Sequence, residues 1–561
     1  MKIYRYISAL LVCILFSASI NAVQIRREPG HRIPEQILPT EHDDPSLWTT
    51  TKPGLTLYAA APGAYSTNRI PRTGTIEYPL VLVDFSDLHF TIQDKQALRD
   101  HYERVFNEHG YSDTTVITFR GYTIYGATGS VSDYFRDQSY RQYTPKFKII
   151  GPITLPEKYS FYGKGEWDPN LTILVRQICD SIIAGGLADL AGYARNRSID
   201  QLSIIYAGRG ANYNGADVNT IWPQASKMYF NKNSDPLIYN SGIDEIKYAC
   251  TCELFWDSDS IMDGIGLFCH EFSHTLGLQD FYNTDLNAGN DDIDNAAMGY
   301  WSLMDYGCYE NQGFSPVGYT AFEKYSLGWM DLEEITYAGT YVLNNISRKP
   351  DTESDIHSAY RLNTGNDDQF IVLENHPKTG WYKYHKAQGL MVTTVDYYDS
   401  IWQDNIINNY NPKHYRILPA DNNYYRESNA GDLFPYTYTD STGTHVIDSI
   451  TTRGKPQLKA GKSYPPFSIY NIKLEDGLVT FHAGYDMPSS VETPRSTKIA
   501  IEISNGELSV SAPTGSIVTI YDISGKPVSR NVTSAPVQQI NLPGHGIWII
   551  KCGDITRKVT Q

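Results

Sequence analysis

Positive charge is in short supply. Lys and Arg number 47 against 63 Asp and Glu, a formal net charge of -16 over 561 residues. Phosphate contacts need a basic face, so this balance argues against a nucleic-acid partner, and the surplus acid reads as solubility. Long apolar runs are lacking too. Beyond the first 22 residues no stretch is apolar enough to cross a bilayer, so the expected mature form has no membrane span and is soluble or surface-attached. Cysteine is sparse at seven, and no pair of CxxC elements occurs, which argues against a Cys/His zinc knuckle. Internal repeats and low-complexity tracts are absent, and the Asp- and Asn-rich segment from 285 to 294 lacks the spacing of an EF-hand.

What is present resembles an exported, multi-domain chain. Lys2 and Arg5 precede a mostly apolar run from Ile7 to Ile20, and the small Ala22 follows, so residues 1–22 read as a signal peptide. Cys13 leaves with it. Export permits disulfides among Cys179, Cys250, Cys252, Cys269, Cys308 and Cys552, but their connectivity is not legible in a sequence. The 43 tyrosines, with Asn, Thr and Gly, suggest an exposed, strand-rich extracellular surface. Residues 23–75 are rich in Pro, Thr, Arg and Gly and read as a propeptide or N-terminal strap. They hold no cysteine to block a metal, although Asp43 or Asp44 could do so.

From 76 to 335, strands alternate with helices. Tyr78 to Phe85, Ile149 to Leu155 and Leu202 to Ala207 are short apolar runs that predict strands. Gln93 to Asn107, Leu171 to Leu190 and Asp263 to Leu278 predict helices. In the second of these, Ile173, Leu174, Ile178, Ile182 and Ile183 share a face. This is the pattern of an α+β catalytic domain. Short strands broken by Asn, Asp, Gly and Pro predict a β-rich domain over 336–485. A polar linker at 486–497 leads to a small β-sandwich over 498–561.

The chemistry is concentrated in His270-Glu271-Phe272-Ser273-His274, an HExxH. Residues four apart lie on one helix face, so both imidazoles can reach one metal. Glu271 can then hold the attacking water and accept its proton as general base. Ile265, Phe268, Phe272 and Leu276 recur at helical spacing and point the rest of the helix into a core. Gly277 ends the helix or turns it sharply. Asp280, three residues on, suits a third zinc ligand, as in the HExxHxxGxx(H/D) pattern of metzincin-like enzymes. In Trp301 to Gly307, Met304 is the candidate for a Met-turn, and Tyr306 is a candidate oxyanion stabiliser. Asp285, Asn287, Asn290, Asp291, Asp292 and Asp294 cluster oxygens that either ligate calcium or solvate a loop. Cys269 points about 100° around the helix from His270 and reads as structural.

The segment HEFSHTLGLQDFY, His270 to Tyr282, resembles the active-site segment of the immune-inhibitor-A-like secreted metallopeptidases. Weaker matches stand in the expected order on either side. They include Val81 to Asp87, Gly129 to Tyr140, Gly151 to Gly163, Trp301 to Gly307, Phe370 to Asn375 and Gly431 to Pro435, so that the resemblance spans about 78 to 482. It implies a secreted zinc endopeptidase acting on proteins or peptides, with bound calcium usual, and it supports Asp280 as third ligand. Gln279 departs from the family, where proline is commoner. Thr519 to Lys526, Gly546 to Lys551 and Arg557 to Val559 resemble the type IX secretion C-terminal sorting domain, which implies delivery by a secretion machinery. An ordinary β-sandwich that binds carbohydrate or substrate is the alternative there. Two rival readings of the whole chain stay open. One is a gluzincin-like site with Glu323, from a probable helix at Ala321 to Leu327, as third ligand. The other is a surface adhesin on an inactive peptidase scaffold.

Overall fold

The stretch from Tyr78 to Phe85 is apolar on both sides of a strand, and the fold buries both sides. In the computed structural model, residues 70–163, 170–214, 219–285, 297–348, 356–424, 430–486, 499–504, 507–534, 537–553 and 555–560 are described. The signal peptide, the strap up to residue 69 with Asp43 and Asp44, the linker from 487, and Asn287, Asn290, Asp291, Asp292 and Asp294 lie outside them.

In chain order the first part contains β1 (Gly74–Asp84), α1 (Lys95–Asn107), α2 (Val131–Gln138), β2 (Tyr143–Thr154), α3 (Leu171–Gly185), β3 (Ser198–Arg209), β4 (Gln224–Tyr229), β5 (Glu245–Leu254), α4 (Gly266–Leu276) and α5 (Ala321–Leu327). The strands lie in the order β2-β1-β3-β5-β4. The first four run parallel, and β4 closes the edge antiparallel. Tyr78, Leu80 and Leu82 of β1 face a core that takes in α1, α2 and α4, while Val81, Val83 and Phe85 face a second core shared with α3. Parallel strands covered on both faces need such unbroken apolar runs. The part expected as α+β is thus a mixed α/β domain with helices on both faces of its sheet.

Helix α3 is shorter than its periodicity suggests. It buries Leu171, Leu174, Val175, Ile178, Cys179 and Ile182, and it stops at Gly185 because Gly186 is left-handed (φ 60°). Ile173 and Ile183, expected on the apolar face, are only partly buried. Helix α4 likewise begins at Gly266 rather than Asp263. A Cβ on Gly266 would lie 1.9 Å from the Cys308 carbonyl oxygen, so the helix enters against the backbone of a neighbouring segment.

The β-rich part contains β6 (Gly339–Leu343), β7 (Ala359–Asn366), β8 (Gln369–His376), β9 (Gly389–Asp396), α6 (Asp399–Gln403), β10 (Tyr415–Ile417), β11 (Ser468–Glu475) and β12 (Leu478–Gly484). Strands β10-β9-β8-β7 form an antiparallel sheet. One face presents Phe370, Val372, Met391 and Val395 to the same core as α4. The other presents Ile371, Leu373, Leu390 and Val392 to the small sheet β6-β12-β11. The boundary expected at 335 therefore runs through a shared core. The chain divides into two compact units, one up to Asp486 and a second from Met487. In the second, a three-stranded and a four-stranded antiparallel sheet share a core of Ile501, Leu508, Val510, Val518, Ile520 and Ile550. All six cysteines expected in the mature chain are buried. Among the described residues no helix is long and apolar enough to cross a membrane.

Candidate metal centre

Helix α4 sets the first two side chains. His270 and His274 stand one turn apart, with ring centroids 4.9 Å apart and planes perpendicular. Each ring is pinned from behind. Nδ1 of His270 lies 2.8 Å from the Leu303 carbonyl oxygen, and Nδ1 of His274 lies 2.9 Å from that of Leu278. A carbonyl only accepts, so each Nδ1 carries the proton and each Nε2 presents a lone pair.

The third group arrives through the helix end. Gly277 is left-handed (φ 108°), its N–H donates to the His274 carbonyl (3.0 Å), and the Leu278 N–H donates to that of Ser273 (3.1 Å). This pair of bonds is a Schellman turn. It puts the Leu278 carbonyl behind His274 and sends the chain back to Asp280. Oδ1 of the fully buried Asp280 sits 3.2 Å from Nε2 of His270 and 3.3 Å from Nε2 of His274. The three atoms lie within 4.8 Å of one another and form the one group of three or more potential metal-binding side chains among the described residues.

These residues fit a metal. Two nitrogen lone pairs and a carboxylate oxygen converging in a buried spot repel unless a cation sits among them. A single proton bridges one histidine to Asp280, whereas one metal ion serves all three. Two imidazoles and a carboxylate suit zinc, and three protein ligands leave a coordination position for substrate chemistry. Glu271, the neighbour of His270, is fully buried on the same helix.

Behind His270 runs the turn from Ser302 to Gly307. Its Gly307 N–H donates to the Ser302 carbonyl (2.9 Å), and a Cβ at Gly307 would lie 2.3 Å from that oxygen. The turn offers the Leu303 carbonyl to His270 and the Met304 carbonyl to the N–H of Phe281 (2.8 Å). Met304 is fully buried in it. Tyr306 is buried, with its ring 6.1 Å from that of Tyr300. Tyr282 lies nearly parallel to the His270 ring at 6.4 Å.

Glu323 stands apart from the three-residue group and supports the turn. Its Oε1 accepts from the Ser302 hydroxyl (2.7 Å) and the Met304 N–H (3.4 Å), and its Oε2 accepts from the Thr320 N–H (2.6 Å), which completes a capping box on α5. Of the calcium candidates, only Asp285 falls among the described residues. Sequence reasoning missed the carbonyls of Leu278 and Leu303, and it missed Asn405, whose side chain bonds Asp280. Backbone acceptors leave no side-chain signal, and 125 residues separate Asn405 from Asp280.

Burial pushes the Glu323 carboxyl up from its ordinary 4.5 to about 7. A raised native value means that the folded state holds this proton more tightly. The resulting stability is complete below pH 4.5 and is lost as pH rises through about 7. Asp263 and Glu310, also raised to about 7 by burial, tilt the curve the same way. In the melting of the chelated protein, the contribution of Glu323 should therefore fall between pH 4.5 and about 7. Glu323→Gln, which cannot titrate, should remove that falling contribution, so that its melting declines less with rising pH than the parent's. An unchanged slope in the variant would contradict the assignment.

The comparisons with known proteins agree with this chemistry. Residues 189–332 match the family model described as "Immune inhibitor A peptidase M6, catalytic domain". Pre-pro-metalloprotease PrtV of Vibrio cholerae is 23% identical over 311 residues, covering 48% of this chain and 31% of that protein. Immune inhibitor A of Bacillus thuringiensis subsp. alesti is 24% identical over 304 residues, covering 46% of this chain and 41% of that protein. These matches span less than half the length of either relative. The matched family segment contains His270, Glu271, His274, Asp280, Met304 and Tyr306.

Proposed function

We propose that this chain is a secreted zinc endopeptidase that hydrolyses peptide bonds of extracellular proteins, with His270, His274 and Asp280 as the zinc ligands. One observation carries the reading. The Nε2 atoms of two histidines each lie within 3.3 Å of Oδ1 of a buried aspartate, while both Nδ1 protons are tied to carbonyls. The family match supports the peptidase class.

Bound zinc supplies a Lewis acid that makes water acidic near neutral pH and draws electron density from the scissile carbonyl. The chain's own residues do the rest. The Leu303 and Leu278 carbonyls fix the tautomer and angle of each imidazole. The Glu271 carboxylate holds the attacking water, takes its proton as the C–O bond forms, and passes that proton to the leaving amine. The Tyr306 hydroxyl donates to the oxygen that gathers negative charge. The turn around Met304 holds the floor under the ligands, as in a metzincin-like arrangement.

A casein digest by the purified full chain, paired with metal analysis, tests the proposal. Cleavage should cease in a strong chelator and return on adding zinc. Digestion that continues with the metal stripped would overturn the reading.

A further inference from the structure

Asp280 is held by a side chain from the β-rich part. The Asn405 Nδ2 donates to Asp280 Oδ2 at 2.6 Å, and the Asp280 backbone N–H donates to Asn405 Oδ1 at 2.8 Å. The two bonds close a ring around one residue. They also fix the amide's orientation, since a backbone N–H can only donate and a carboxylate can only accept. We propose that Asn405 is the positioning residue for the third metal ligand, so that the β-rich part completes the zinc site. This inference rests on the zinc-peptidase reading above.

Three features make the position specific to asparagine. First, Asn405 is left-handed (φ 53°), a conformation that asparagine tolerates better than most residues. Second, its short amide offers a donor and an acceptor at the separation that Asp280 presents. Third, the side chain is buried, so water does not stand in for either bond. With Oδ2 engaged by Asn405, the carboxylate turns Oδ1 towards His270 and His274.

The surrounding bonds extend the clamp. Gln279 Nε2 donates to the Trp402 carbonyl (2.7 Å), Asn408 Nδ2 to that of Phe281 (2.6 Å), and the Thr284 N–H to Asn409 Oδ1 (2.8 Å). The loop from 279 to 284 is thus laid along the segment from 402 to 409, which runs from the end of α6 into the turn beyond it. Of these contacts, only Asn405 reaches the ligand carboxylate.

The test measures zinc affinity of the full chain by competition with a chromophoric chelator, together with melting of the chelated protein. Asn405→Asp keeps the volume and the acceptor for the Asp280 N–H but turns an oxygen toward Asp280 Oδ2 in place of the donor. Asn405→Ala removes both bonds. Each should weaken zinc binding by about 10- to 100-fold, the usual cost of losing an outer partner of a ligand. Asn408→Ala, which loses backbone contacts but none to Asp280, should alter melting and leave zinc affinity within about threefold of the parent. Equal loss of affinity in the Asn405 and Asn408 variants would reduce Asn405 to a packing role. Parent-like affinity in both Asn405 variants, with zinc still lost by Asp280→Ala, would overturn this inference alone. Absence of zinc binding by the parent would overturn the zinc reading itself.

Discussion

Glu271→Gln should keep its zinc and lose its proteolysis. The substitution preserves the side chain's length and shape, so α4 packs as before and His270 and His274 keep their carbonyl partners. What disappears is basicity, because an amide cannot take a proton from water. General-base catalysis contributes about 10²- to 10⁴-fold, and kcat should fall by that order. KM should move little, because Glu271 acts on the water rather than on the substrate chain. Zinc content should stay near the parent's, at about one ion per chain. Casein cleavage and metal content measured on the same preparation decide the matter. A metal-loaded Gln variant that retains a tenth or more of parent activity would remove Glu271 from the role of base.

The loss can be separated from a folding defect. Glu271 is fully buried, and a buried carboxylate exchanged for an amide can shift melting in either direction. A variant that melts like the parent, holds zinc and cannot cleave isolates the chemical step. One that melts early and lacks zinc speaks about folding and leaves the base to be tested by Glu271→Asp, which keeps a carboxylate on a shorter stem and should restore part of the rate.

How much of this was legible in the sequence depends on the range of each interaction. The four-residue spacing of His270 and His274 dictates a common face on any helix, and Gly277 marks where that helix must end. Both are local. The apolar run of β1 was legible as a strand. That both its faces are buried follows from Leu80, Val81, Leu82 and Val83 all being apolar, which also separates a parallel, doubly covered sheet from a half-exposed one. The same logic applies to Phe370, Ile371, Val372 and Leu373, yet the change of texture near 336 read as a domain boundary. Composition reports turn density, whereas a shared core depends on which faces meet. Asn405 lay beyond reach for another reason. Asp-Asn-Ile-Ile-Asn-Asn at 404–409 reads as a polar loop, and nothing local says that the Asn405 amide closes on Asp280, 125 residues away.

Asp280→Ala should strip the site of zinc, while Glu323→Ala should keep the metal and lose stability. Both are fully buried carboxylates that follow the HExxH, and either could in principle complete it. Their surroundings differ. Asp280 aims Oδ1 at both Nε2 atoms, 3.2 and 3.3 Å away, with Oδ2 taken by Asn405. Glu323 directs both oxygens to hydrogen-bond donors, Ser302 and Met304 on one side and Thr320 on the other. Truncating Asp280 leaves two imidazoles, one protein ligand short of a usual catalytic site. Zinc affinity should then fall by more than the roughly 10- to 100-fold that loss of an outer partner costs. Truncating Glu323 instead takes this acceptor from the Ser302 hydroxyl and the Thr320 N–H, at about 1–3 kcal/mol for a buried group left unsatisfied. The Met304 N–H keeps Ser302 Oγ as an acceptor at 3.1 Å. Because Ser302 and Met304 flank the carbonyl that orients His270, a modest secondary weakening of zinc binding is expected, well short of the Asp280→Ala loss. Dialysis of both variants against a weak chelator, followed by metal analysis and melting, gives the comparison. If Asp280→Ala holds its zinc and Glu323→Ala releases it, the third ligand is Glu323 and the site has the gluzincin-like geometry.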